Sequence, residues 1–179
     1  MLVRLSHPDG VVVGWRTVPE TAGSGRTAEA RVAGRHLLRE ALSLLGVADT
    51  GIRQRCEVCG GVDHGPLRSD DAAISVAYAP GVVVAAAAHA RAIGIDVERD
   101  AGALPGLDAL FAPSPPPDAG GWTAIEAALK ADGRGLRVDP ATVVVADGRA
   151  RVPGHDRTIA VHRVTGPAGY VVSLAIDPA

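Results

Sequence analysis

The sequence predicts an α+β protein, and three observations carry that reading. Short runs of valine and alanine, such as Val11-Val12-Val13 and Val82-Val83-Val84, are bounded by Gly and Pro turn signals. Between Thr27 and Leu45 the apolar residues Ala30, Ala33, Leu37, Leu38, Ala41, Leu44 and Leu45 recur at the period of a helix with one buried face. A second helical stretch, Thr123 to Asp132, lies between strand-like segments and is stopped by Gly133 and Gly135.

In chain order, Val11 to Trp15 reads as a short strand, and residues 19–25 form a loop whose Gly and Ser leave it no periodic face. The first helix follows and ends at Gly46. Its outer face carries Arg31, Arg35 and Arg39 at four-residue spacing, with Arg26 just before it; a solvated face accounts for such arginines. Past a loop holding Cys56-Glu57-Val58-Cys59-Gly60 and Asp63-His64-Gly65-Pro66, strands are expected at 73–77 and 82–88, turned at Pro80-Gly81. A third strand runs from Ala92 to Val97, and Leu104 to Phe111 forms a short helix. Residues 112–121, with Pro113, Pro115, Pro116 and Pro117, read as a linker and as the clearest internal boundary by composition. The tail is a meander: 142–145, an Asp147-Gly148 turn, 157–164, a loop at 166–169, and 170–176.

A chain of 179 residues, 47% hydrophobic and 21% charged, buries a core as one globular unit or as two small packed halves. With 18 Lys+Arg against 20 Asp+Glu, the formal charge of -2 argues against a nucleic-acid partner. The segment before Gly10 has no apolar run of signal-peptide length, and Ile74 to Ala90 is broken by Pro80-Gly81, so neither export nor a membrane span is expected. A cytoplasmic protein follows. Cys56 and Cys59 are too few for a secreted disulfide framework. Of the 18 basic residues only Lys130 is a lysine, which points to a site that wants a compact ammonium.

Two constellations could carry chemistry. Asp96 and Glu98 lie two residues apart on an apolar strand, so the strand period puts both carboxylates on one face. Side by side they repel unless a cation lies between them, and hard oxygen donors of this kind suit Mg²⁺. A strand end facing water explains them equally well. Glu126 and Lys130, one helical turn apart, project a carboxylate and a cation from one face. Local structure offers its own account: Thr123 and Glu126 as a capping box, and Glu126 with Lys130 as an ion pair. Spacing alone does not choose between the two. Cys56-x-x-Cys59 with His64 looks like part of a zinc site, but a closed site needs four ligands, so a packing role for the loop is expected. No nucleophile elbow, phosphate-binding Gly loop or dinucleotide fingerprint is present.

Taken together and in order, four blocks resemble the 4'-phosphopantetheinyl transferase superfamily, specifically its Sfp-type enzymes. They are Arg35-His36-Leu37-Leu38-Arg39, Cys56-x-x-Cys59-Gly60 with His64-Gly65-Pro66, Gly94-Ile95-Asp96-Val97-Glu98, and Trp122-Thr123-x-x-Glu126-Ala127-x-x-Lys130. The resemblance covers most of Arg26 to Leu136. It implies two similar α/β halves in pseudo-twofold arrangement with coenzyme A in the cleft between them. The half over residues 1–90 would take the 3'-phosphate of coenzyme A, and the half over 91–179 the metal and pyrophosphate. Asp96, Glu98 and Glu126 match the family's Mg²⁺ ligands, and Lys130 its pyrophosphate-binding lysine. Arg39 matches the arginine on the 3'-phosphate, and Arg26, more loosely, a basic phosphate contact. The implied reaction moves phosphopantetheine from coenzyme A to a serine of an acyl or peptidyl carrier protein, releasing adenosine 3',5'-bisphosphate. The implied enzyme is a monomer. Glu126, ahead of Asp96, is the expected proton acceptor.

Three positions depart from the family pattern. Ile125 stands where many relatives have lysine, His64-Gly65-Pro66 lacks a basic residue before proline with Arg68 as the substitute, and Ala77 and Tyr78 replace a serine and a phosphate-binding histidine. Tyr78 still offers one hydroxyl to a phosphate. Three readings therefore follow: an active transferase, because the three carboxylates and Lys130 are all present, a weak or inactive homologue that binds carrier protein or coenzyme A, or another Mg²⁺-dependent nucleotide enzyme on a similar scaffold.

Overall fold

The structure, a computed structural model, describes residues 2–4, 10–20, 26–56, 59–102 and 104–178. Most of the expected loop at 19–25 and the central pair of the Cys-x-x-Cys motif, Glu57 and Val58, lie outside the described residues. The chain divides into two compact units, Met1–Ala90 and Arg91–Ala179. Both are mixed α and β.

In the first unit, β1 (Leu2–Arg4), β2 (Val11–Thr17), β5 (Ala73–Ala79) and β6 (Val82–Ala88) form one antiparallel sheet in the order β1-β2-β6-β5. The intervening α1 (Ala28–Leu44) lays Leu37, Leu38, Ala41 and Leu42, all fully buried, over this sheet against Val12, Val83, Ala85 and Ala87. Its ends follow capping chemistry. The Thr27 side chain accepts from the Ala30 N–H at 3.1 Å, and Gly46 takes the left-handed conformation while Val47 N–H returns to the Leu42 carbonyl. Two very short strands, β3 (Arg53–Gln54) and β4 (Leu67–Arg68), pair with each other and draw together the ends of the cysteine loop. Their two-residue length gave no alternation to read.

In the second unit, β7 (Ala92–Arg99) is followed by α2 (Leu107–Phe111) and α3 (Ala119–Asp132). Then β8 (Val144–Ala146), β9 (Arg149–Arg151), β10 (Ile159–Val164) and β11 (Tyr170–Asp177) complete an antiparallel sheet in the order β7-β11-β10-β9-β8. Asp147 and Gly148 both have positive φ, 50° and 69°, as a tight hairpin turn requires. Helix α3 packs on β7, β10 and β11. Its core holds Trp122, Ile125, Ala128 and Leu129 with Phe111, and the Phe111 and Trp122 rings meet edge to face at 6.1 Å.

The two units share one order of connection: strand, helix, strand, and a last strand that returns beside the first. In one the path is β2, α1, β5, β6 with β6 paired to β2, and in the other β7, α3, β10, β11 with β11 paired to β7. The second adds the β8–β9 hairpin.

Three sequence expectations are corrected. The proline-rich segment is no boundary between units, since it lies inside the second one, where its prolines end α2 and redirect the chain into α3. Helix α2 begins at Leu107 and not at Leu104, because Gly106 in the left-handed conformation precedes it. Helix α3 starts at Ala119, capped by Asp118, whose carboxylate accepts from the Gly121 N–H at 2.7 Å. Thr123 is therefore no cap. It lies inside the helix, fully buried, donating to the Gly120 carbonyl at 3.1 Å and meeting the Ser173 hydroxyl of β11 at 2.8 Å.

The far end of α3 is fastened by charge. Asp132 accepts two hydrogen bonds from the Arg134 guanidinium and lies 3.1 Å from His155, which lies 3.6 Å from Asp177; Arg157 also donates to Asp177. Burial pushes the Asp132 carboxyl up, but the Arg134 hydrogen bonds and charge outweigh it, and the carboxyl titrates below its ordinary range.

What brings α3 onto β7 is Gly94. A Cβ built there would lie 1.9 Å from the Ala127 carbonyl oxygen and 2.8 Å from the Ala131 nitrogen, so only a residue without a side chain lets the helix backbone come this near. Gly94→Ala is expected to lower stability by about 3 kcal/mol, the upper end of overpacking costs, because backbone and not a movable side chain must give way. Gly102→Ala, where nothing lies within 4 Å, is the control and should fall within about 0.5 kcal/mol of wild type. Urea unfolding of both variants checks the pair; equal midpoints would mean that the helix has room to spare.

Candidate functional site

Gly94, Asp96 and Glu98 alternate along β7, so the face that meets α3 at Gly94 continues into both carboxylates. Helix α3 answers with Glu126 and Lys130, one turn apart. Lys130 Nζ donates to Asp96 Oδ1 at 2.6 Å and to the Ile95 carbonyl at 3.0 Å, and lies 3.8 Å from Glu126 Oε2. Asp96 is 6% exposed, whereas Glu98, Glu126 and Lys130 are half-buried. Across the sheet, Ser173 of β11 stands opposite Asp96 and ties to Thr123, which fixes the register between strand and helix.

Electrostatics marks this cluster out. Burial, then the charges of Asp96 and Glu126, push the Glu98 carboxyl up to about 7, against the opposing pull of the Lys130 ammonium. Three carboxylates and one ammonium leave two negative charges when all four are ionised. Hard oxygen donors with surplus negative charge, partly open to water, fit a small divalent cation such as Mg²⁺. Asp96, Glu98 and Glu126 would hold it. Lys130, already seated on Asp96, would sit beside any anion that the cation draws in.

The other predicted residues belong to the first unit. The Arg26 guanidinium lies over the Tyr78 ring, 5.9 Å from its centroid. Burial raises the Tyr78 hydroxyl above its usual range while the charges of Arg26, Arg35 and Arg31 pull it down. Tyr78 packs against Arg26 and comes within the electrostatic reach of Arg31 and Arg35. It can do so because residue 34 is glycine, whose Cβ would come 2.8 Å from the Tyr78 oxygen. Arg39 lies further along α1 with its side chain exposed, outside that group. Two of the positions that depart from the resembled pattern have a local reason. Ile125 is 7% exposed and part of the core of the second unit, and Ala77 is 2% exposed, so each occupies a site shaped for an apolar side chain.

Sequence reasoning missed Gly94, Thr123 and Ser173 as the residues that position the cluster. A glycine inside an otherwise apolar strand was the available signal for the first; the pairing of Thr123 with Ser173 spans 50 positions and left none. Among the described residues no helix is long and apolar enough to cross a membrane. No protein-family model and no curated protein matches this chain.

Glu98 supplies a test of the cluster. Its folded-state pKa, about 7, stands above the ordinary glutamate value of about 4.3, so the folded protein holds the extra proton between the two. Metal-free stability contributed at this site must then fall as pH rises through that window. Glu98→Gln is expected to flatten the decline, and Mg²⁺ to offset it on the alkaline side. Melting temperatures across the window, in EDTA and in Mg²⁺, check this; a wild-type profile in the Gln variant would remove Glu98 from the charge cluster.

Proposed function

We propose that this chain is an Mg²⁺-dependent 4'-phosphopantetheinyl transferase, which moves the phosphopantetheine of coenzyme A onto a serine of an apo acyl or peptidyl carrier protein. The observation that carries the reading is the convergence of Asp96, Glu98, Glu126 and Lys130 on one face between β7 and α3, in the order and spacing of the family signature. The shared strand-helix-strand connection of the two units supports the two similar halves that the resemblance implies.

Each residue has a task in that reaction. A bound Mg²⁺ supplies charge neutralisation at the pyrophosphate, which phosphoryl transfer needs more than a covalent nucleophile. Asp96, Glu98 and Glu126 would hold the cation. Lys130 gives a second positive contact to the pyrophosphate oxygens, and the Ile95 carbonyl with Asp96 keeps its ammonium in place. Glu126 takes the proton of the carrier serine as its oxygen bonds to phosphorus. The phosphorus–oxygen bond to adenosine 3',5'-bisphosphate breaks, and that group leaves with the electron pair. Arg26, Arg39 and the hydroxyl of Tyr78 serve the 3'-phosphate end of coenzyme A.

The second reading is a homologue that binds without turnover. It is favoured by Ile125 and Tyr78, which withhold a cation and a histidine that relatives place near the phosphates.

Intact-mass spectrometry of an apo carrier protein, incubated with this chain, coenzyme A and Mg²⁺, separates the two readings. A gain of one phosphopantetheine that EDTA abolishes is expected; no gain on acyl and peptidyl carriers alike would favour the binding-only homologue. Because Asp118 and not Thr123 caps α3, Glu126→Gln removes no cap. It should leave the melting temperature near wild type and lower the transfer rate by about 10²–10⁴-fold, the contribution typical of a positioned base. Undiminished transfer would confine Glu126 to a structural role.

A further inference from the structure

The loop between β3 and β4 brings three soft donors to one point. The ligand atoms of Cys56, Cys59 and His64 all lie within 4.8 Å of one another, with Cys59 Sγ and His64 Nε2 3.2 Å apart. Zinc–sulfur and zinc–nitrogen bonds of about 2.3 and 2.0 Å at tetrahedral angles set sulfur–nitrogen edges of roughly 3.6 Å and sulfur–sulfur edges of roughly 3.8 Å. The three donors thus stand within a few tenths of an ångström to one ångström of that geometry. Neither cysteine is in a disulfide.

The surroundings are built to hold this arrangement. His64 Nδ1 pairs with Asp63 Oδ1 at 2.7 Å, which places the proton on Nδ1 and turns the Nε2 lone pair toward the sulfurs, as a carboxylate does behind a metal-bound histidine. The Cys56 N–H donates to the Gly61 carbonyl at 2.8 Å and the Gly60 N–H to the Cys56 carbonyl at 2.9 Å, folding the turn back on the first cysteine. Gly60 and Gly65 have positive φ, and a Cβ at Gly65 would meet the Cys56 backbone at 2.8 Å. Gln54 donates to the Gly65 carbonyl, joining the returning strand to the outgoing one. Nothing in the proposed transfer uses any of these groups.

We propose that the loop is a zinc site in which Cys56 Sγ, Cys59 Sγ and His64 Nε2 bind one Zn²⁺, Asp63 orients His64, and the fourth position is left to water. Thiolate and imidazole donors select zinc over the hard cations suited to the carboxylate cluster. Binding displaces the two thiol protons into solvent and changes no oxidation state. The ion ties Cys56 and Cys59 to His64 and so cross-links the loop between β3 and β4.

The test uses the full chain, reduced and stripped of metal, and titrates it with Co²⁺ and then Zn²⁺. One equivalent of Co²⁺ should produce a sulfur-to-cobalt charge-transfer band with tetrahedral visible bands, and Zn²⁺ should displace it stoichiometrically. Cys56→Ser with Cys59→Ser should abolish both, Asp63→Asn should weaken Zn²⁺ binding by about 10–100-fold, and Asp96→Ala should leave it unchanged. Wild-type protein without the cobalt–thiolate band, or Zn²⁺ affinity that is undiminished in the double serine variant, would overturn the proposal. So would a Cys56–Cys59 disulfide that forms equally fast with and without Zn²⁺.

Discussion

The second unit depends on one steric fact, the absence of a side chain at Gly94. Helix α3 rests backbone to backbone on β7 there, and everything downstream follows from the distance this sets. A helix held a side chain further out would carry Lys130 out of reach of both Asp96 and the Ile95 carbonyl. Instead the contact is short enough for a direct ion pair and for the Thr123–Ser173 hydrogen bond, which stops the helix from sliding along the sheet. Small residues continue the fit, since Ala127, Ala128 and Ala131 are buried along the helix.

That proximity creates an electrostatic conflict that the fold does not resolve by itself. Three carboxylates share one ammonium, and the strain shows in Glu98, which is pushed toward the neutral form near pH 7. Exposed ion pairs such as Arg16 with Glu40 contribute little, because water screens them. Asp96 with Lys130 is different in kind: burial makes the pair costly to break. Charges that are hard to separate and a neighbour that is hard to ionise together describe a site that a further positive charge would stabilise. The Asp132 network at the other end of α3 shows the contrast, for there Arg134, Arg157 and His155 set positive or protonatable groups beside the two acids.

Much of this was legible in the sequence, and the parts that were not have physical reasons. The strand period placed Asp96 and Glu98 on one face correctly, because alternation is a local property of the backbone. The helix period likewise paired Glu126 with Lys130. The start of α3 was misread because Thr123 and Glu126 imitate a capping box, while the true cap, Asp118, hides behind three prolines and is followed by two glycines that disguise a first turn. The second of them is there for room, since a Cβ at Gly121 would lie 2.8 Å from Pro117, whereas at Gly120 only the movable Arg163 guanidinium stands in the way. The geometry of the cysteine loop was illegible for a related reason. Sequence counts ligands, but the β3–β4 pairing that closes the loop and the Asp63 contact that aims His64 exist only in three dimensions.

Lys130 has one more consequence. It is the single lysine in a chain whose other 17 basic residues are arginine, and its side chain is 25% exposed against Asp96. The chain therefore carries a chemically unique side-chain amine at the centre of its charged cluster. Arginine does not acylate under conditions that modify lysine, so among the side chains an amine reagent finds this one position, and peptide mapping separates it from the α-amino group. The composition that thinned out lysine elsewhere has left the protein with an address of its own, at which a probe can be attached without mutating anything.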